Sequence, residues 1–490
     1  MLRASVACEA AGVPTVSLVC EGFERQAGAT GRGLGFDKLP IAGLLGHVDA
    51  QSYDDMVASF VEHTVGQIVS GLTKPIEWDE NGTAEPSALD IVASGTIDEI
   101  HRTFVANGWS DGLAIIPPTR DRVEAFIAVT GHDPWRVLGT IRPSGRDVTV
   151  WSIAVNAVMA GCEAMQLPVL LALAEVLLDP HYNVQHSGNT TGADAIIVLN
   201  GPVIGDLGFN HGPGAMRDGA GAPNTVVARW LRLFLRNVCG FTADEHDKAT
   251  FGNSSRVVLA EDEAALAEIG WEPFAMTFGH PAGTDAVTVA RMNSGAMIGS
   301  VFGSTPEQIV PYLADGLARI TGWDLTHVYG LGQGHYRPLL VLSPVLARIF
   351  GRAGWTKAQV QEGLFEHARI PAWRFEKLIG DWTNLTAGRR TLVDLVSEGV
   401  VPPVFAESSD PDRLVPIVTS PEKLLIAVAG DPNRTNAYVL SHDGSHGDWT
   451  SKAIDRTYSD DLVCRIDNRD AHTTCPHPAG RPAGRLGNAQ

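Results

Sequence analysis

Residues 201–223 hold seven glycines in 23 positions, between the apolar run Ala195-Ile196-Ile197-Val198-Leu199 and a segment with helical periodicity. The run reads as a strand buried on both faces. From Asn224, the expected cap, to about Val238, residues Val226, Val227, Trp230, Leu231, Phe234, Leu235 and Val238 fall on one helical face. Strand, long loop and helix in succession constrain the chain to an α/β fold. A loop of this length inside a compact domain is uncommon and usually functional, the alternative being an Ω-loop packed on itself. Its glycines admit close backbone approach to a ligand, and the helix start beyond offers N–H groups to an anion. The spacing fits neither the P-loop nor the dinucleotide fingerprint, so phosphate specificity is not implied.

The rest of the chain divides around this feature. Residues 4–11 read as a helix, 13–19 as a short strand, 39–45 as a second strand and 52–72 as a helix with Ser52 as its cap. These are expected to make a small α/β unit over residues 1–75, incomplete at its N-terminus. Residues 76–95 have prolines, acids and no period, and read as a linker. A large α/β domain follows over 96–454. Its stretches 148–165 and 167–178 are apolar nearly all round and read as two buried helices, equally suited to a core or to the interface of a homo-oligomer. Residues 455–490 read as a disordered tail.

Composition narrows the function classes. With 37 Lys+Arg against 56 Asp+Glu the net charge is −19, which disfavours nucleic acid and an anionic membrane surface as partners. A small-molecule substrate is the expected partner. Six cysteines in 490 residues, none in a C-x-x-C pair, point to a reducing, cytoplasmic setting. The longest apolar stretch, Leu167 to Leu178, contains Glu175 and is far short of a membrane span.

Several residues could carry chemistry. His186 and His211 flank the apolar strand, and histidine suits general acid–base work because its pKa lies near neutrality. Asp111, or Asp194, could orient one of them, although Asp111 also fits a turn-stabilising role. Asn189 and Thr190 beside His186, and Asn210, Gly212, Gly214, Arg217 and Asn224 along the glycine-rich segment, are the expected substrate contacts. Arg229 lies on a stripe with Arg232 and Arg236 that reads as a solvated face, or as one that holds a carboxylate ligand or pairs with acids of another subunit. Cys20, at a strand's C-terminal end in an α/β unit, is the candidate nucleophile. No metal and no cofactor is expected: neither the tail group Cys464, His472, Cys475 and His477 nor the loop His442-Asp443-Gly444-Ser445-His446 has a known ligand spacing.

Residues 4–72 resemble the UGSC family of (seleno)proteins. The resemblance rests on Ala10-Ala11-Gly12-Val13-Pro14-Thr15-Val16, on Leu39-Pro40-Ile41 with His47, and on the helix end Ser70-Gly71-Leu72-Thr73. In that family a U/C-G-S-C redox motif precedes the first helix, and the segment is similar to the selenoprotein B subunit of glycine-reductase-type enzymes. The implied activity is thiol or selenol redox chemistry on a small anionic substrate. The present chain lacks the motif and is expected to be truncated before it or to have lost it; Cys8 and Cys20 do not match and inherit no role. Residues 108–112, 117–119, 156–162, 186–191 and the glycine-rich segment are similar to a large domain fused to such units. The alternatives are a hydrolase or lyase using histidine acid–base chemistry, and a non-catalytic ligand-binding or assembly subunit.

Overall fold

The computed structural model describes residues 2–459 except 37, 49, 75–86, 218–222, 244, 254–256, 321–334, 383–390 and 445. The tail group around Cys464 and most of the expected linker lie outside the described residues.

The N-terminal unit runs α1 (Leu2–Ala10), β1 (Ser17–Cys20), α2 (Glu24–Gly33), β2 (Ile41–Leu44), α3 (Tyr53–Ser59) and, through a π-helical turn, α4 (Val65–Thr73). β1 and β2 pair in parallel, with Ser17 opposite Ile41. Ser52 caps α3 as its sequence suggests, its Oγ accepting the Asp55 N–H at 3.2 Å. The apolar face of this helix is only partly covered: Tyr53, Val57, Val61, Val65 and Val69 stay exposed.

The unit sits directly on the large domain. The N–H-bearing Nζ of Lys248 donates to the Gly22 carbonyl at 2.8 Å and lies over the Phe23 ring. Arg32 faces Glu245 at 3.7 Å. Gly33 touches the Pro143 carbonyl so closely that a Cβ there would stand 1.8 Å from its oxygen.

The large domain opens with α5 (Ile97–Ala106), α6 (Arg120–Ile127), the hairpin β3 (Val137–Ile141) and β4 (Arg146–Thr149), α7 (Val150–Ala160) and α8 (Leu167–Leu178). The single helix expected over 148–165 is broken, because Gly161 takes a left-handed φ of 87° and ends α7. Then come β5 (Asp194–Asn200), α9 (Val203–Leu207), α10 (Asn224–Asn237), β6 (Val257–Ala260), α11 (Glu263–Glu268), β7 (Ala286–Ile298) and α12 (Pro306–Arg319). β8 (Leu339–Leu342), α13 (Pro344–Arg352), α14 (Lys357–His367), β9 (Arg369–Pro371), β10 (Leu414–Pro416), β11 (Leu425–Val428), β12 (Ala437–His442) and β13 (Thr450–Ala453) complete the part that shapes the site.

The main sheet has the order β11-β8-β12-β7-β5-β6, with β13 added beside β7. It curls into a half-barrel. Alternate residues face opposite sides, as strand geometry requires. Ile196, Val198, Leu259, Met292, Val341 and Ala427 fill the concave side. Ile197, Leu199 and Val289 pack outward against α7, α8 and α10, whereas Leu340, Leu342, Ile426 and Val428 pack against α12 to α14. The two edges meet at one end, where the Asp262 N–H donates to the Val428 carbonyl at 2.8 Å. Glu261 stitches this seam, its buried carboxyl accepting from Phe274 N–H (2.6 Å), Asn200 Nδ2 (2.7 Å) and Val428 N–H (3.3 Å).

Candidate functional site

The half-barrel separates the two candidate histidines. His186 precedes β5 and His211 follows it, so the seven residues of that strand, roughly 23 Å at strand rise, lie between them. They cannot serve one reaction centre.

At the His211 end the glycine-rich segment is held by its own side chains. Pro223, not Asn224, occupies the cap position of α10. Asn224 instead is buried, its Oδ1 accepting the Asn210 N–H (2.8 Å) and its Nδ2 donating to the Val258 carbonyl (2.9 Å). Asn210 Oδ1 accepts the Gly212 N–H at 3.0 Å. Gly214 and Arg217, by contrast, line a cavity of about 380 Å³ at the mouth of the half-barrel. His211 Nδ1 stands 3.7 Å from Asp262 and outside that lining.

The arginine stripe faces inward, contrary to a solvated face. Arg229 grips Asp111 with two prongs, at 2.9 and 3.0 Å, and also donates to the carbonyls of Leu113 and Ala114. Arg232 lies 3.3 Å from the buried Asp194, and Arg236 reaches the Gly108 carbonyl. Charged side chains in this setting need partners, and the stripe finds them in Asp111, in Asp194 at the start of β5 and in the Gly108 carbonyl. Asp111 and Arg229 thus hold each other. Cys20 ends β1, half-buried, and lines neither cavity described here.

The His186 end gathers a different set of groups. The His186 ring stacks on His446, with centroids 4.9 Å apart. His446 Nδ1 lies 3.0 Å from Asp443 Oδ1. The other carboxylate oxygen accepts Asn189 Nδ2 at 2.7 Å and faces Arg291 Nε at 3.8 Å. Arg291, itself buried, donates to the carbonyls of Tyr182 (2.8 Å), Asn183 (3.2 Å) and His446 (2.6 Å). Backbone closeness makes this possible. A Cβ on Gly447 would stand 2.3 Å from the Tyr182 carbonyl oxygen, and one on Gly188 would stand 2.0 Å from that of His246. Thr190 contributes its carbonyl, which accepts from Thr250.

Charge in this cluster follows from burial and neighbours. Burial, then the charges of His446, Arg291 and Arg3, pushes the His186 imidazolium down to about 4 against the pull of Asp443. His186 is therefore neutral at pH 7. Burial opposes the charge of Asp443, yet the hydrogen bond from His446 and the charges of His446, Arg291 and His442 hold its carboxyl below the ordinary range. An ionised Asp443 fixes the His446 Nδ1 proton and places the basic lone pair on Nε2, the arrangement used by general bases.

A cavity of about 460 Å³, lined by Arg3, Thr140, Arg142, Asn183 and Gln185 among others, reaches the backbone just before His186, although neither His186 nor His446 is part of its lining. Arg3 comes from α1 of the N-terminal unit; Arg142 follows β3 of the large domain. Burial and the charge of Arg142 pull the Arg3 guanidinium below its ordinary value. No carboxylate pairs with either arginine among the described residues. Asp179, also at this wall, is held by Lys452 (2.7 Å) and His181 (2.9 Å).

Reasoning from sequence picked out His186 and Asn189 but not Arg3, Arg142 or Arg291, and it considered the His442–His446 loop only for metal binding. The spacing Asp443-Gly444-Ser445-His446 was the available signal. Among the described residues no three His, Cys, Asp or Glu side chains gather as for a metal ion.

Residues 1–74 match the UGSC family. No curated protein matches the chain. No helix among the described residues is long and apolar enough to cross a membrane.

Proposed function

We propose that the chain is an acid–base enzyme, of the lyase or hydrolase type, acting on a small carboxylate bound between its N-terminal unit and its large domain. The carrying observation is the Asp443–His446 pair stacked on a neutral His186, next to a cavity where Arg3 and Arg142 present two guanidiniums without carboxylate partners. Guanidiniums bind carboxylates in two-pronged fashion and would fix the substrate's orientation. His446, oriented by Asp443, takes a proton from the substrate. The imidazolium so formed on His446 then returns that proton to the leaving group or product, while His186, neutral and stacked on it, adds no competing charge.

The thiol or selenol reading suggested by the UGSC match finds less support in the described residues. Cys162 and Cys239 are buried, and burial pushes both thiols upward, away from the reactive thiolate. The deciding experiment exposes the protein to a panel of small carboxylates in D₂O and follows proton exchange and turnover by NMR. Activity that survives iodoacetamide, falls at least a hundredfold in His446→Gln, and shows a raised KM in Arg3→Gln or Arg142→Gln supports acid–base chemistry. Activity lost to alkylation but kept in His446→Gln restores the redox reading.

A further inference from the structure

The geometry points to a second binding site at the mouth of the half-barrel, for a molecule with an apolar body and a single carboxylate. It lies at the opposite end of β5 from the histidine cluster and does not depend on the acid–base reading.

Four observations carry it. First, the cavity of about 380 Å³ has apolar walls, formed by Ala215, Leu259, Met297, Val341, Ala429 and Tyr438. Its size falls within the usual range of small-ligand pockets. The concave side below is filled by packed side chains, so a ligand enters the mouth and stops there. Second, Arg217 and Arg434 stand at the rim, and neither has a carboxylate partner among the described residues. The one acid of the lining among the described residues, Asp431, accepts the Asn433 N–H at 2.8 Å, and the two guanidiniums outnumber it. Third, Ser343 lines the cavity, is only 6 % exposed, and its hydroxyl has no hydrogen-bond partner among the described residues. A buried hydroxyl left unsatisfied calls for an explanation, and a ligand acceptor supplies one. Fourth, Ser343 stands at the N-terminus of α13, a nine-residue helix, without using its side chain to cap it. The helix end and two guanidiniums favour an anion at the rim, while the walls favour hydrocarbon below it.

The ligand follows from this polarity. Inorganic phosphate would leave the apolar walls uncovered, and a neutral chain would leave the arginines and Ser343 unpaired. A carboxylate with about six to eight carbons satisfies both halves.

The test is isothermal titration of the full chain with octanoate, 1-octanol and acetate. Saturable octanoate binding at 1:1, at least tenfold tighter than either comparator, is expected. Arg217→Gln combined with Arg434→Gln should weaken octanoate at least tenfold. Ser343→Ala should weaken it severalfold with an unchanged Tm, because its hydroxyl bonds nothing among the described residues. His446→Gln should leave the affinity intact. The proposal is overturned if octanoate does not bind saturably, if 1-octanol binds as tightly, if the double arginine variant keeps full affinity while remaining folded by circular dichroism, or if His446→Gln abolishes binding, which would place octanoate in the other cavity.

Discussion

Replacing Asp443 by Asn tests the histidine cluster most directly, because it changes charge with little change of shape. Asp443 is 1 % exposed, and Arg291, at 3.8 Å, is 2 % exposed on its side chain. At an effective dielectric near 20 their attraction is about 4 kcal/mol. Removing one partner of a buried pair costs about 3–5 kcal/mol, and the lower end applies here because Arg291 keeps three carbonyl acceptors. A second effect adds to this. The carboxylate accepts from His446 on one side and Asn189 on the other. An amide has one acceptor oxygen, so one donor must then face an NH₂ group, and the His446 tautomer is released. We expect a loss of about 3 kcal/mol in urea unfolding at pH 7 and a Tm lower by about 6 °C. His446→Gln, at a half-exposed position, should cost under about 1 kcal/mol. The sign with pH follows from the depressed carboxyl: its stabilisation is present above the ordinary carboxylate range and disappears as pH falls through the lower folded value. The wild-type advantage over Asp443→Asn should thus be constant from pH 5 to 8 and shrink below about 4. An advantage under about 1 kcal/mol at pH 7, or one that grows on acidification, would refute the buried-pair account.

Three further outcomes follow from the same geometry. Asp111→Ala strips Arg229 of its two-pronged partner in a position where that arginine is largely covered, and should cost about 3 kcal/mol in urea unfolding while leaving octanoate binding intact. Gly33→Val forces a side chain into the Pro143 carbonyl and should displace α1; KM for the carboxylate substrate should rise with the unfolding of the large domain unchanged, and an unchanged KM would show that α1 is not needed. His186, held neutral down to about 4, takes up no proton in the folded chain while the unfolded chain does so near 6.5, so stability should fall as pH drops between those values; His186→Gln should flatten this decline in Tm, and parallel curves for the two proteins would contradict it.

The elements were legible where one face of the pattern decides. β5 and α10 stand close to where apolar periodicity puts them. The periodic pattern did not reveal that Gly161 divides residues 148–165, since an all-apolar stretch carries no phase to mark its end. It also left open whether the arginine stripe is solvated or paired. Arg229, Arg232 and Arg236 are regularly spaced on one helix, but their partners Asp111, Asp194 and the Gly108 carbonyl come from distant segments. The candidate site was half legible for the same reason. His186 and Asn189 are neighbours in sequence, whereas Asp443 and His446 lie more than 250 residues away and Arg3 almost 200 before them. Only the curling of the sheet and the docking of the N-terminal unit bring these together.

That docking bears on what the N-terminal unit is for. A lone exposed guanidinium binds a carboxylate weakly, because surface ion pairs are worth at most about 1 kcal/mol. Among the described residues lining this cavity, the large domain alone would offer only Arg142 as a guanidinium. Arg3 arrives on α1, the first helix of the segment that matches the UGSC family, and α1 is positioned by contacts made elsewhere in the unit: Gly33 on Pro143, Gly22 and Phe23 on Lys248, Arg32 on Glu245. Two converging guanidiniums hold one carboxylate in a fixed orientation, which a single one does not. On the proposed reading, the acid–base groups belong to the large domain and the means of holding the substrate against them is shared. On this reading the N-terminal unit completes the substrate site, and it does so through helix placement with no cysteine involved.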